Sequence, residues 1–352
     1  MNMWRSLSPS EIYLGVPGKH CLHARLGREG ELMLPLVIVR NGPGPTVLVA
    51  GGTHGDEFEG QIAVSNLCRD ITPENVHGTL ILLPLHNVLA CRAGTRVTPD
   101  DGSDLNRLYG RPDGEGPAHA IARFVETVLL PDVDWVIDLH SGGSAHEFVL
   151  SSNLQARLNS AEFETMRDPL LAFNAPYAIV FDEVSASGDM PHTGTLEGHA
   201  RTLGKKAISS ELGGAGRVTP ASLGVAEHGL RSLLSHIGVV PWARATRPDQ
   251  SRSQLLFLGR PEHYVRSRLA GRFAPTVSLG DEVREGERLG SIAPLDDPLR
   301  PAEPIISPSD GIVVAIARHG LQQAGTGVIY LADPLAEIPD SRKEPATKDG
   351  RS

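Results

Sequence analysis

Five short runs, each apolar almost without interruption, limit what this chain can fold into: TVLVAGG, GTLILLPLHN, DWVIDLHSGG, PYAIVFDE and KAISSELGG. An alternating strand keeps one face wet, whereas a strand without alternation must be covered on both faces. Stretches with helical spacing lie between the runs. GQIAVSNLCRDI carries Ile62, Val64, Leu67, Cys68 and Ile71 and stops before Pro73. AHAIARFVETVLLP stops at Pro131, and TLEGHARTLG and VAEHGLRSLLSHIG follow. Strand and helix alternate from about residue 45 to about residue 240, which predicts an α/β unit with a mostly parallel mixed sheet flanked by helices. Ahead of it, LMLPLVIVR and TVLVAGG flank the turn-rich NGPGP, so a β-rich entry is expected.

The texture changes after PDQSRSQ. From Leu255 to Ala332 the chain has short apolar stretches and turn residues but no helical pattern, which predicts a smaller C-terminal all-β unit. The final AEIPDSRKEPATKDGRS is polar and reads as a disordered tail. The expected division is 1–248, 249–334 and 335–352, and 352 residues are long for a single core. A formal net charge of −9 with no basic block argues against nucleic-acid binding, which needs Lys and Arg to replace counterions. No run approaches the roughly 20 apolar residues of a membrane span. The opening MNMWRSLSPSEIYLGV lacks the apolar centre of a signal peptide. Cys21, Cys68 and Cys91 are odd in number and spaced like neither a disulfide framework nor a zinc ribbon. A soluble cytoplasmic protein with reduced thiols is expected.

Three strand ends carry chemistry. The first gives His54 and Glu57 in GGTHGDE, the second His140 in DLHSGG, and the third Glu211 in SELGG. In open sheets, sites form beyond the carboxyl ends of strands. Two histidines and a carboxylate suffice to hold Zn²⁺ with a position left for water, and a further glutamate then takes the water's proton. Asp56 or Asp138 is suited to orient a ligand imidazole. A histidine alone at a strand end is more often a hydrogen-bonded bystander; the conjunction of three motifs carries the reading. His192 is retained as a loop contact, and the other histidines default to surface or core roles. RAGTRVTPDDGSDLNRLYG adds Arg96, Asn106 and Arg107, which suit a carboxylate or an oxyanion. The plainer reading pairs these arginines with Asp100, Asp101 or Asp104.

GGTHGDEFEG, DLNR, DLHSGG and SELGG, in that order across residues 45–240, resemble the succinylglutamate desuccinylase/aspartoacylase family, relatives of the zinc carboxypeptidases. RAGTRVTPDDGSDLNR and VETVLLPDVDWVIDLHSGG look most like its branch of N-α-acetyl-L-2,4-diaminobutyrate deacetylases of ectoine degradation. The resemblance implies a zinc-carboxypeptidase-like α/β fold. It also implies one Zn²⁺ per chain held by His54, Glu57 and His140, with Glu211 as general base and then acid. Asn106 and Arg107 would grip the α-carboxylate of a small N-acyl amino acid, and Arg96, with Arg92 as rival, would polarise the acyl carbonyl. An assisting tyrosine is open between Tyr109 and Tyr177. Asp182, Glu183, Asp189 and Glu197 are candidates for an ammonium contact. VSLGDEVREGERLGSI and IISPSDGIVV resemble the barrel-sandwich fold of lipoyl and biotinyl domains, but no lysine stands between Lys206 and Lys343 to carry such a group. The unit is expected to shape the pocket entrance or a homo-oligomer interface. The expected activity is hydrolytic removal of a small acyl group, acetyl first. A carboxypeptidase acting on short peptides and a non-catalytic binding module are the alternatives.

Overall fold

The computed structural model describes residues 4–12, 15–27, 29–111, 113–182, 194–242, 253–297 and 299–335. The chain enters through β1 (Trp4–Leu7), β2 (Gly18–Leu26) and β3 (Leu32–Asn41). It then runs through β4 (Thr46–Gly51), α1 (Phe58–Asp70), β5 (Gly78–Leu83), α2 (Val88–Ala93), α3 (Pro117–Phe124) and β6 (Trp135–His140). Next come β7 (His146–Gln155), α4 (Ala161–Ala172), β8 (Tyr177–Phe181), α5 (Leu196–Thr202), β9 (Lys206–Gly214) and α6 (Pro220–Ile237). The remainder is strand: β10 (Gln254–Leu258), β11 (Tyr264–Arg266), β12 (Gly271–Pro275), β13 (Glu282–Val283), β14 (Arg288–Ala293), β15 (Glu303–Ile306), β16 (Gly311–Ala317), β17 (Leu321–Gln322) and β18 (Gly327–Pro334).

All five apolar runs form strands. Every residue of β5 and β6 is buried, because the sheet carries a core on each face. Val47 and Val49 of β4 join Ile137 and Leu139 of β6 in packing with α1 and α6. Leu48, Ala50 and Val136 point the other way, toward α3 and α5. That alternation fixes the aim of Asp138 and His140, which share the face of Val136.

The large sheet runs β1-β2-β3-β5-β4-β6-β9-β7-β8-β10-β18-β16-β13. Pairing is parallel through β5-β4-β6-β9 and again through β7-β8-β10. It is antiparallel at β2-β3-β5, between β9 and β7, and among the C-terminal strands. Within β4–β9 the sheet is mixed and mostly parallel, as expected, with β9–β7 the antiparallel pair; the entry and C-terminal strands add further antiparallel pairs. The entry hairpin and the C-terminal strands add themselves to its ends, and Leu22, Leu34 and Leu36 of the hairpin share a core with Ile121 of α3.

The C-terminal strands have a core of their own around Val313, Ile316, Leu289 and Phe273, and a separate four-stranded sheet, β15-β14-β12-β17. They are also joined to the rest. β16 pairs with the start of β7 and β10 pairs with β8, which closes a ring through β18. The expected boundary at 248/249 lies outside the described residues, as do residues 336–352 of the expected tail. Leu335 is anchored by its N–H to Leu255 O at 2.9 Å. Among the described residues no helix is long and apolar enough to cross a membrane.

Glycines set the closest approaches around the β4–α1 turn. A Cβ on Gly55 would stand 2.0 Å from the carbonyl of Ala90, and one on Gly60 2.6 Å from Leu139 O. Gly55→Ala is expected to lower stability by about 1–3 kcal/mol or more through overpacking. Gly224→Ala, in α6 with nothing within 4 Å, should instead raise it by about 0.5–1 kcal/mol. Urea denaturation of the two variants checks the opposite signs.

Candidate metal centre and active site

The β4–α1 turn is tight. Glu57 donates its N–H to His54 O at 3.4 Å and is the residue from which α1 starts. His140 ends β6 and lies directly opposite Glu211 of β9 in the parallel register. His54, Glu57 and His140 are buried and Glu211 is half-buried. Four residues separated widely in sequence thus meet at adjacent strand ends.

Glu57 sits between the two imidazoles. Its Oε1 is 2.7 Å from His54 Nδ1 and its Oε2 is 2.8 Å from His140 Nδ1. Ser141 N–H donates to Oε2 at 3.2 Å. The far nitrogens are also engaged: His54 Nε2 is 3.1 Å from Asp104 Oδ1, and His140 Nε2 is 3.0 Å from Asp138 Oδ2. A carboxylate only accepts, so each Nε2 carries a proton and donates it. A neutral imidazole in that tautomer turns a bare Nδ1 lone pair toward Glu57. Two lone pairs against a carboxylate repel unless a cation stands among them. The three groups offer ligand atoms within 4.8 Å of one another. This N, N, O donor set fits a zinc-type ion.

The electrostatics agree. Burial alone would push His54 down, but Glu57 and Asp104 more than reverse this and its pKa is raised. His140 behaves likewise, lifted well above the usual range by Asp138 and Glu57 against burial. Burial would raise Glu57, yet the two histidines hold it far below the ordinary carboxylate range. Without a metal, protons occupy the two Nδ1 positions, and a bound cation displaces them.

Behind His140 runs a buried chain of hydrogen bonds. Thr53 Oγ1 donates to Asp138 Oδ1 at 2.8 Å and is 2.9 Å from His86 Nδ1. Its only proton goes to the carboxylate, so His86 Nδ1–H donates to Thr53, and Tyr109 OH donates to His86 Nε2 at 2.7 Å. Burial pushes His86 down to about 4, which keeps it neutral for this role. Asp138 therefore orients a histidine as expected. Asp56 does not: its Oδ2 accepts from Ser144 N–H and Oγ–H, both at 2.8 Å, and clasps the β6–β7 turn. The partner of His54 is Asp104, which the sequence marked only as a mate for arginines. His86, placed among the bystanders, was visible in GTLILLPLHN but had no partner in sequence to give it meaning.

Arg96 reaches the cluster with its side chain 46% exposed. Its Nη1 is 3.6 Å from Glu57 Oε1, and its Nη2 donates to Asp104 Oδ2 at 3.2 Å. Arg92 lies exposed in the last turn of α2. The short turn Leu105–Arg107 brings in Asn106, whose Oδ1 accepts from Leu196 N–H at 2.9 Å and whose Nδ2 lies 3.4 Å from His140 Nε2. Arg107 Nη1 donates to Asn106 O at 2.7 Å, and its other guanidinium N–H groups make no hydrogen bond to a described residue. Glu211 Oε2 is buried with no partner among the described residues. Burial, then repulsion from Glu57, pushes its pKa up to about 8.

Tyr109 is buried under His86, and Tyr177 lines a different cavity. Tyr330 of β18, which the sequence reading did not weigh, feels the charge of the cluster. Its hydroxyl is raised by burial and feels the charges of Glu211 and Arg96. Its ring stacks on His146 at 5.3 Å. Glu197 lies beside Asp138 and His140. Asp182 is half-buried beyond β8. Glu183, Asp189 and His192 lie outside the described residues.

Residues 43–237 match the family model for the succinylglutamate desuccinylase/aspartoacylase catalytic domain. The N-α-acetyl-L-2,4-diaminobutyric acid deacetylase of Halomonas elongata is 35% identical over 266 residues, 75% of each chain. A succinylglutamate desuccinylase/aspartoacylase structure from Rhodobacter sphaeroides superposes with a TM-score of 0.84 at 31% identity, covering 93% of this chain and 98% of that one. A product-bound structure of the ectoine utilization protein EutE (DoeB) from Ruegeria pomeroyi gives 0.83 at 30% identity, covering 92% and 97%. The fold and site define a hydrolase of the mixed α/β class built around a His-Glu-His cluster. The chain belongs to the succinylglutamate desuccinylase/aspartoacylase family.

Because protons compete for His54 and His140, both raised above the usual histidine range, zinc affinity should rise with pH through that range and beyond it as those protons become easier to displace. Asp104→Asn and Asp138→Asn should each weaken it roughly 10–100-fold. Competition with a chromogenic chelator across this pH range measures both effects.

Proposed function

We propose that this protein is a zinc-dependent amidohydrolase that removes an acetyl group from an N-acyl amino acid. N-α-acetyl-L-2,4-diaminobutyrate is the substrate we favour. The observation that carries the reading is the pair of Nδ1 atoms turned on Glu57, with Glu211 in register beside His140. His54, Glu57 and His140 would hold the ion, one per chain. When bound, the ion supplies a Lewis acid and brings the pKa of water toward about 7.

The chain's own groups do the rest. Glu211 takes a proton from the attacking water and later delivers it to the leaving amine. Its tendency to stay protonated in a buried, anionic setting suits the second step; positive charge nearby favours the first. Arg96, at the mouth of the cluster, stabilises the negative charge that develops on the acyl oxygen. Arg107 grips the α-carboxylate with its uncommitted N–H groups, and Asn106 contributes while tying the turn to Leu196. Tyr330 closes the site from the C-terminal strands.

The unit 249–334 would form the wall that restricts entry to small substrates, with 1–248 as the catalytic unit. Similarity to the Halomonas elongata deacetylase and to the ectoine utilization protein of Ruegeria pomeroyi supports the choice of substrate.

Glu211→Gln should keep its zinc and lose roughly 10²–10⁴-fold in turnover. Zinc content and hydrolysis are measured together on a panel of N-α-acetyl-L-2,4-diaminobutyrate, N-acetylaspartate, N-succinylglutamate and short peptides. Retained zinc with unchanged hydrolysis would defeat the mechanism. Preference for peptides would defeat the substrate reading.

A further inference from the structure

A cavity of about 330 Å³ opens between β7, the end of β9, the start of α6 and Leu279 in the turn between β12 and β13. We propose that it binds a small aliphatic amine, with the ammonium set on the carboxylate of Glu59 and the hydrocarbon body along Tyr177 and Leu279.

Glu59 lies in the first turn of α1, is 1% exposed, and borders the cavity. Its Oε1 has no hydrogen-bond partner among the described residues. Nor does any arginine or lysine among them form an ion pair with it. A buried carboxyl left in this state is costly, and a cation with N–H donors offsets that cost. Space for one exists beside it. Gly213 forms the wall there, and a Cβ on it would stand 3.8 Å from Glu59 Oε1 and 3.7 Å from Leu150 Cδ2.

The other acid of the cavity is already neutralised. Glu147 accepts from Arg217 at 3.3 Å and pairs with Arg318 as well. The cavity therefore has at its floor one acid that Ser141 and Ser222 attend but no cation among the described residues pairs, with Phe148, Leu150, Tyr177 and Leu279 as apolar walls. That combination selects an alkyl ammonium over a carboxylate, which Glu59 repels, and over an alcohol, which brings no charge. The volume falls at the lower end of the range of about 300–1,000 Å³ usual for small-molecule sites.

Glu59 and Glu57 share the start of α1, and Gly213 and Glu211 share β9. An occupant therefore rests against both elements that carry the reaction centre without entering it. The inference stands on this cavity alone and not on the assignment of the substrate.

The test uses n-butylamine on zinc-loaded full-length protein, by calorimetric titration and by soaking crystals. The amine should appear with its nitrogen against Glu59, bind equally well to Glu211→Gln, and bind roughly tenfold or more weakly to Glu59→Gln. n-Butyrate and n-butanol should not bind there. Leu279→Trp, which fills the cavity from the C-terminal side, should abolish binding and serves if Glu59→Gln does not fold. Ordered water alone at Glu59 in the soaked crystal, amine found only at the zinc site, or unchanged binding in Leu279→Trp would each overturn the proposal. Because no readout is turnover, loss of hydrolysis in any variant bears on the proposed reaction and not on this site.

Discussion

The carboxylate of Glu57, held between the Nδ1 atoms of His54 and His140, is the interaction on which the rest depends. Protons on the two Nδ1 atoms satisfy it until a metal ion takes their place. Asp104 and Asp138 claim the protons on the far nitrogens, so each imidazole, once neutral, turns its Nδ1 lone pair toward Glu57. The hydrogen-bond chain from Tyr109 through His86 and Thr53 then fixes Asp138, and with it the plane of His140. The geometry of the His-Glu-His cluster is set largely by residues outside it.

The scaffold places this contact by making three parallel strands end together. Gly51 of β4 stands opposite Leu139 of β6, and His140 opposite Glu211 of β9. Close approaches at Gly55 and Gly60 bring α1 and its first carboxylates against the strand ends. Both faces of β4 and β6 are buried, so the register cannot slip without turning apolar side chains outward on both sides.

Much of this was legible in the sequence, and the reason is local. Uninterrupted apolar runs announce doubly covered strands, and the polar residues at their ends stand out by contrast. His54, Glu57, His140 and Glu211 were readable for that reason. What was hidden depended on pairing at long range. β7 was overlooked because HEFVLSSNLQ is polar in its second half; Ser151 and Ser152 are nonetheless buried between neighbours. A mixed sheet was expected, but the antiparallel partners of β7 and of the C-terminal strands are pairings that no single segment encodes. Asp104 was read as an arginine's partner and is that, but it also holds His54 across 50 positions of chain. Tyr330 could not be placed because it comes from the C-terminal strands, whose attachment through β16 and β7 is a tertiary fact.

The central claim is that the ion binds on the Nδ1 side of both histidines. X-ray absorption and anomalous diffraction on zinc-loaded protein test it directly. The account predicts one zinc per chain, about 2.0–2.2 Å from Nδ1 of His54, Nδ1 of His140 and a carboxylate oxygen of Glu57. Zinc found instead on the Nε2 side of His140, among Asp138 and Glu197, would contradict it.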